Sequence, residues 1–226
     1  MPHKLVGENS DTWTDMSNYL VHFSKSYGGK NAYDNIISIL SNRRLEARTP
    51  FGAGRQKAPN PESQNAVCFS EVPLHLLGRL VEARSEYGIV FKKNTVRQQG
   101  GNPILYAYKD GAVAKSIRKL VSAASNDAMH PIWEIAPFVD APGVYPSGAY
   151  FFEWEREWRK VGNFIFNEED VAFLVIPEAL HAVAESFFED ARRENLGPYY
   201  GCPFIDGHWD IEKVKPLLSY SPTLAD

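Results

Sequence analysis

The chain has 226 residues, with 24 Lys and Arg against 28 Asp and Glu, a formal net charge of −4, and 13% aromatic residues. Its composition is that of an ordinary soluble globular protein, and residues 1–226 suit one domain long enough to bury a real core. The absence of a long apolar run and of a basic-then-apolar leader argues against a membrane span and a secretory signal, so the cytoplasm is the expected location.

Charge is unevenly spread. Residues 43–119 carry 14 Lys and Arg against 6 Asp and Glu, whereas residues 120–226 carry 7 against 18. A basic middle can face phosphates, but neither run is dense enough to indicate nucleic-acid binding by itself.

In chain order, residues 1–17 read as a loose polar arm. Tyr19 to Phe23 is a short strand rich in β-formers. Asn31 caps a helix through Leu40, with Ala32, Ile36, Ile39 and Leu40 as its apolar stripe. Thr49 to Asn65, punctuated by Pro50, Gly52, Gly54, Pro59 and Pro61, is a long flexible loop. Ala66 to Ser70 is a second strand, and Pro73 opens a helix carrying Leu76, Leu77, Leu80 and Val81. Tyr87 to Phe91 and Pro103 to Tyr108 are two more strands, joined by a basic hairpin loop from Lys92 to Asn102.

Gly111 to Ala124 is helical, with Val113, Ile117, Leu120 and Val121 on one side, and Ser125 to Ala149 is a second turn-rich excursion. Val171 to Ile176 has the composition of a fully buried strand. Pro177 then opens a helix ending at Gly197, with Leu180, Val183, Ala184, Phe187 and Phe188 as its core face. A short helix near Asp210 to Leu218 follows. Segregated helices and strands make the class α+β, with a core over 19–180 and C-terminal helices and a tail over 181–226.

Tyr150 to Phe166 is the most distinctive stretch. Read as an extended segment, it puts Glu153, Glu155 and Glu157 on one face and Phe152, Trp154, Arg156 and Trp158 on the other. Three like charges on one face repel. Either water solvates them as an exposed acidic edge, or one of them stabilises a developing cation in a cleft.

Other chemistries find less support. The six histidines are scattered without the spacing of a metal site. No glycine-rich turn leads a strand into a helix, so neither a dinucleotide fingerprint nor a P-loop is present. Ser70-Glu71-Val72-Pro73 lacks the glycines of a nucleophile elbow. His22, in the middle of its strand, reads either as a satisfied core residue or as part of a site.

Val21-His22-Phe23-Ser24, followed by the helix ending Ile37-Ser38-Ile39-Leu40 and by Arg44-Leu45, resembles the opening of the ADP-ribosyltransferase superfamily of the DarT type. The further order Val67-Cys68-Phe69-Ser70-Glu71, Tyr87-Gly88-Ile89, Pro103-Ile104-Leu105-Tyr106 and Glu155-Arg156-Glu157-Trp158-Arg159 resembles the AbiGi-like abortive phage resistance proteins more closely.

The resemblance implies a split, bent β core with flanking helices whose cleft holds NAD as substrate. It assigns His22 to a ribose, with Phe23 and Ser24 beside it, Phe69-Ser70 or Tyr87 to the nicotinamide side, and Glu157 to support of the cation formed as nicotinamide leaves. Glu155 would orient the acceptor. The expected function is then an NAD-dependent ADP-ribosyltransferase, a phage-defence toxin acting on DNA, RNA or protein and held by a cognate antitoxin. Two alternatives stand beside it. One is a non-catalytic antitoxin-type binding partner on the same fold, since AbiGi-like proteins are described as antitoxins; the other is an NAD glycohydrolase.

Overall fold

The computed structural model describes residues 17–71 and 73–219, so most of the expected N-terminal arm lies outside the described residues. The centre is a seven-stranded mixed sheet built from β1 (Tyr19–Phe23), β2 (Ala66–Ser70), β3 (Gly88–Lys92), β4 (Asn102–Pro103), β5 (Glu157–Val161), β6 (Val171–Val175) and β7 (Phe204–Ile205). Their order is β7-β6-β3-β1-β2-β5-β4. Neighbours run antiparallel except β6 and β7, which are parallel. The helices are α1 (Ala32–Asn42), α2 (Leu77–Ala83), α3 (Lys93–Gln98), α4 (Ala112–Ala123), α5 (Ile132–Ile135), α6 (His181–Glu194) and α7 (Ile211–Ser219). Among the described residues no helix is long and apolar enough to cross a membrane.

Alternation along the strands sorts the core into two layers. Leu20, Phe69, Ile89, Phe91 and Trp158 pack with Ile36 and Leu40 of α1 and Phe188 of α6. Val21, Val90, Phe173 and Val175 pack with Leu77, Leu80 and Val81 of α2 and Val214 of α7. α1 starts where the Asn31 side chain accepts from the Asp34 amide at 2.8 Å, satisfying a donor the first turn leaves open. It stops at Arg43, whose φ of 49° is left-handed. Apart from the sheet, α4 and α5 enclose a smaller cluster of Val121, Ala124, Ile132, Trp133 and Ala136.

Several expected elements are corrected. The Glu153–Glu157 segment is not a strand: Glu153–Glu155 forms a 3₁₀ turn, Arg156 takes a left-handed φ of 47°, and pairing begins only at Glu157. This reversal removes the regular acidic strand face and gives the carboxylates different partners, although Glu155 and Glu157 still line one cavity. The expected strand Pro103 to Tyr108 breaks at Ile104; Asn102–Pro103 pairs with β5, and Leu105–Tyr106 pairs in parallel with Val139–Asp140. The basic hairpin loop contains a helix, α3, because Val96 is fully buried against the main core.

The 49–65 stretch is pinned rather than free. Gln64 is wholly buried and donates to the Trp133 carbonyl at 3.1 Å, and the Ala53 amide donates to the Ala136 carbonyl at 3.0 Å. Residues 125–149 likewise hold α5 and a hairpin pairing Gly143–Tyr145 with Gly148–Tyr150. Leu76 lies exposed before α2 begins. On α4 the inward residues are Ala114 and Val121, while Val113 and Leu120 are exposed. On α6 only Phe188 is buried, and Val183 and Phe187 face solvent.

Candidate functional site

β1 and β2 are sheet neighbours that share one paired position, Val21 opposite Ser70. By contrast β1 with β3, and β2 with β5, are each paired over five positions. The two strands therefore diverge, and a cavity of about 730 Å³ opens between them. Both strands, the start of β5 and the segment after α1 supply its walls, with Tyr150 and Phe152 at one side.

His22 bridges the divergence, with Nδ1 lying 2.9 Å from the Cys68 carbonyl oxygen. A carbonyl only accepts, so Nδ1 carries the proton in this bond. Burial lowers the imidazole pKa below its ordinary 6.5; the Cys68 hydrogen bond opposes this, and the Lys25 charge adds to it. At neutral pH the ring is therefore uncharged, and Nε2 is an acceptor. A group that binds its proton more weakly in the folded state destabilises that state as pH falls. Stability is expected to drop from pH 6.5 downward, through the lowered folded-state pKa. His22→Gln should flatten part of that slope in a denaturation series from pH 7.5 to 5; an unchanged slope would remove His22 from the account.

The floor is organised by Arg159, which is 1% exposed. Its Nε donates to Glu157 Oε1 at 2.7 Å, and its Nη2 to Asp140 Oδ2 at 2.6 Å and Glu157 Oε2 at 3.1 Å. Nη1 donates to the Pro137 carbonyl at 2.7 Å, and the guanidinium lies over the Phe51 ring. Burial works against this charge, but Glu157 and Asp140 outweigh it and hold the pKa above the ordinary arginine value. Tyr150 donates to Asp140 Oδ2 at 2.9 Å. The Tyr106 hydroxyl accepts from the Glu157 amide, and burial pushes its pKa up to about 12. The Cys68 thiol is pushed up by burial first and by Glu157 second, so it stays protonated.

The other buried carboxylates are also paired. Glu155 accepts from both Nε and Nη2 of Arg84. Glu71 takes Lys93 Nζ at 2.5 Å on one oxygen and the Trp158 indole N–H at 2.7 Å on the other. Glu155 is thereby compensated by a guanidinium of its own, whereas Glu157 and Asp140 share the single charge of Arg159. At the mouth the balance reverses: Lys25 and Arg44 are exposed there and have no ion pair among the described residues.

The structure brings His22, Phe23, Ser24, Phe69, Ser70, Glu155 and Glu157 to this one cavity. Tyr87 lies outside its lining and packs edge-on against Tyr33 at 5.9 Å. Phe69 is buried and meets the His22 ring edge-on at 6.0 Å. Sequence reading missed Arg159, Asp140, Cys68 and Arg84. For Arg159 a signal existed, because a residue two places after Glu157 on a strand shares its face. Asp140 and Arg84 carry no local signal.

A family model described as "Putative abortive phage resistance protein AbiGi, antitoxin" matches residues 37–196. No curated protein and no solved structure matches the chain. The antitoxin description overturns the expectation of an NAD-dependent ADP-ribosyltransferase toxin and agrees with the alternative, a non-catalytic antitoxin-type partner.

Proposed function

The chain belongs to the AbiGi family of abortive phage resistance proteins, and on that premise we propose that it is a non-catalytic antitoxin, which neutralises a cognate toxin protein by binding it. The scaffold of this reading is an ADP-ribosyltransferase-like split β core whose cleft serves recognition rather than bond cleavage.

One observation carries the proposal: of the carboxylates that line the cavity, Glu155 is closed on Arg84, Glu46 meets Arg48, and Glu157 is held by both oxygens on Arg159, which it shares with Asp140. Such bonds fix shape and engage each of these carboxylates with a guanidinium before any ligand enters. The mouth, with Lys25 and Arg44 unpaired among the described residues, is the part open to a partner. Charges on an interface rim steer association and select partners.

The test is growth of a host expressing the chain alone, the cognate toxin alone, and both. The chain alone should leave growth unchanged. Co-expression should restore growth, and the two proteins should co-purify. Lys25→Glu with Arg44→Glu should weaken co-purification about tenfold or more. Growth arrest by the chain alone, abolished by Glu157→Gln together with release of nicotinamide from NAD, would overturn the reading.

A further inference from the structure

The lobe around α4 carries a surface that the cleft does not use. Arg55, Lys57, Lys109, Lys115, Arg118 and Lys119 come from three separate stretches of chain. Ala53, Ala58 and Ala107 pack with Ala114, Ile117 and Val121 of α4, which gathers these stretches on one lobe. Lys115, Arg118 and Lys119 stand at i, i+3 and i+4 on the helix and so share a face. None of the six is paired with a carboxylate among the described residues, although the whole chain has a net charge of −4.

Three of the six are held in place by neutral acceptors. Lys57 Nζ donates to Ser122 Oγ at 2.8 Å, Arg118 Nη2 to the Lys109 carbonyl at 2.9 Å, and Lys109 Nζ to the Val144 carbonyl at 2.6 Å. Such bonds position a cation without compensating its charge. The acids nearby are few, and one of them, Glu153, is bonded to the Tyr108 hydroxyl. Asp110 is the sole carboxylate between residues 109 and 124, Asp127 accepts from the Met129 amide, and Glu134 is exposed on α5.

We propose that this face binds the phosphate backbone of a nucleic acid. A group of uncompensated cations, three of them held in place, suits phosphate binding, and release of the counterions condensed on the strand drives it. An acidic protein fits less well. The large apolar side chains that α4 exposes are Val113 and Leu120, 54% and 51% exposed, with Tyr108 and Val144 exposed on the neighbouring segments. These are scattered singly, whereas the cations are gathered on one face, so charge rather than apolar area is what this surface offers. DNA and RNA share the chemistry named here. The proposal stands independently of toxin binding at the cleft.

The experiment is fluorescence anisotropy of the purified full chain with three labelled probes: a 24-base-pair DNA duplex, a 24-nucleotide RNA, and a polyglutamate peptide of similar charge. At about 50 mM salt one or both nucleic acids should bind with a micromolar Kd; for the duplex, the log–log salt slope should be near −4, as about four or five phosphate contacts give. Lys115→Glu, Arg118→Glu and Lys119→Glu combined should weaken binding at least 100-fold with the thermal melt unchanged, and Arg192→Glu with Arg193→Glu on α6 should bind like wild type. Which nucleic acid binds identifies the source of the phosphate. The proposal is overturned if neither binds, if polyglutamate binds equally well, if the α4 variant keeps its affinity while folded, or if the α6 control loses it.

Discussion

Arg159→Met is expected to lower the unfolding free energy by about 3–5 kcal/mol. The substitution removes a guanidinium that is 1% exposed and strands Glu157 and Asp140, both largely buried, without a counter-charge. Methionine fills much of the arginine volume, so loss of packing is the smaller part. For a chain of this size the cost corresponds to a fall of about 10 °C in Tm. Combining it with Glu157→Gln and Asp140→Asn should recover much of the loss, since the buried charges leave together. A single variant within about 1 kcal/mol of wild type in urea denaturation would show that water reaches the floor and solvates the carboxylates.

Phe91→Ala is expected to cost a similar amount, about 3–5 kcal/mol, by a different route. Phe91 is wholly buried and meets Phe164 and Phe166 at 5.0 Å each and Phe69 at 6.0 Å, all edge-on. Its removal loses apolar transfer energy and opens a cavity among rings that cannot follow it inward. Phe164→Ala alone should cost about as much, but the pair should cost less than the sum, because each deletion empties space beside the other. Unfolding midpoints by urea with an unchanged m-value would report this; strict additivity would mean that the rings do not form one packed unit.

These two sites differ in how far the sequence revealed them. β1, β2, β3 and β6 were legible because their apolar runs are short, β-branched or aromatic, and bounded by turn residues. The start of α1 was legible because Asn31 is a capping residue beside a helical stripe. The Glu153–Glu157 segment misled because alternation of residue types does not reveal backbone reversal. Arg156 adopts a left-handed conformation that arginine rarely takes, with its amide bonded to the Glu153 carbonyl and its carbonyl to the Glu71 amide. Val113, Leu120, Val183 and Phe187 were expected inside on helical spacing, yet each helix has only a narrow strip of core to cover, and small residues such as Ala114 fill part of it. For the cleft, His22, Ser70 and Glu157 were found, but not the Arg159 pairing that sets the electrostatics of Glu157. Charge compensation between residues 19 positions apart, as for Arg159 and Asp140, leaves no pattern in a linear reading.

β1 is the fourth of seven strands, the position usually best shielded from amide exchange. Here it shares five rungs with β3 and one with β2. Energetically the sheet is thus two ribbons, of four strands and of three, riveted at Val21–Ser70 and at the His22–Cys68 hydrogen bond. Parting them breaks few ladder bonds, so the midline is the line of least resistance. The stiffest region lies to one side, where β3 is held between β1 and β6 and packed against the aromatic cluster.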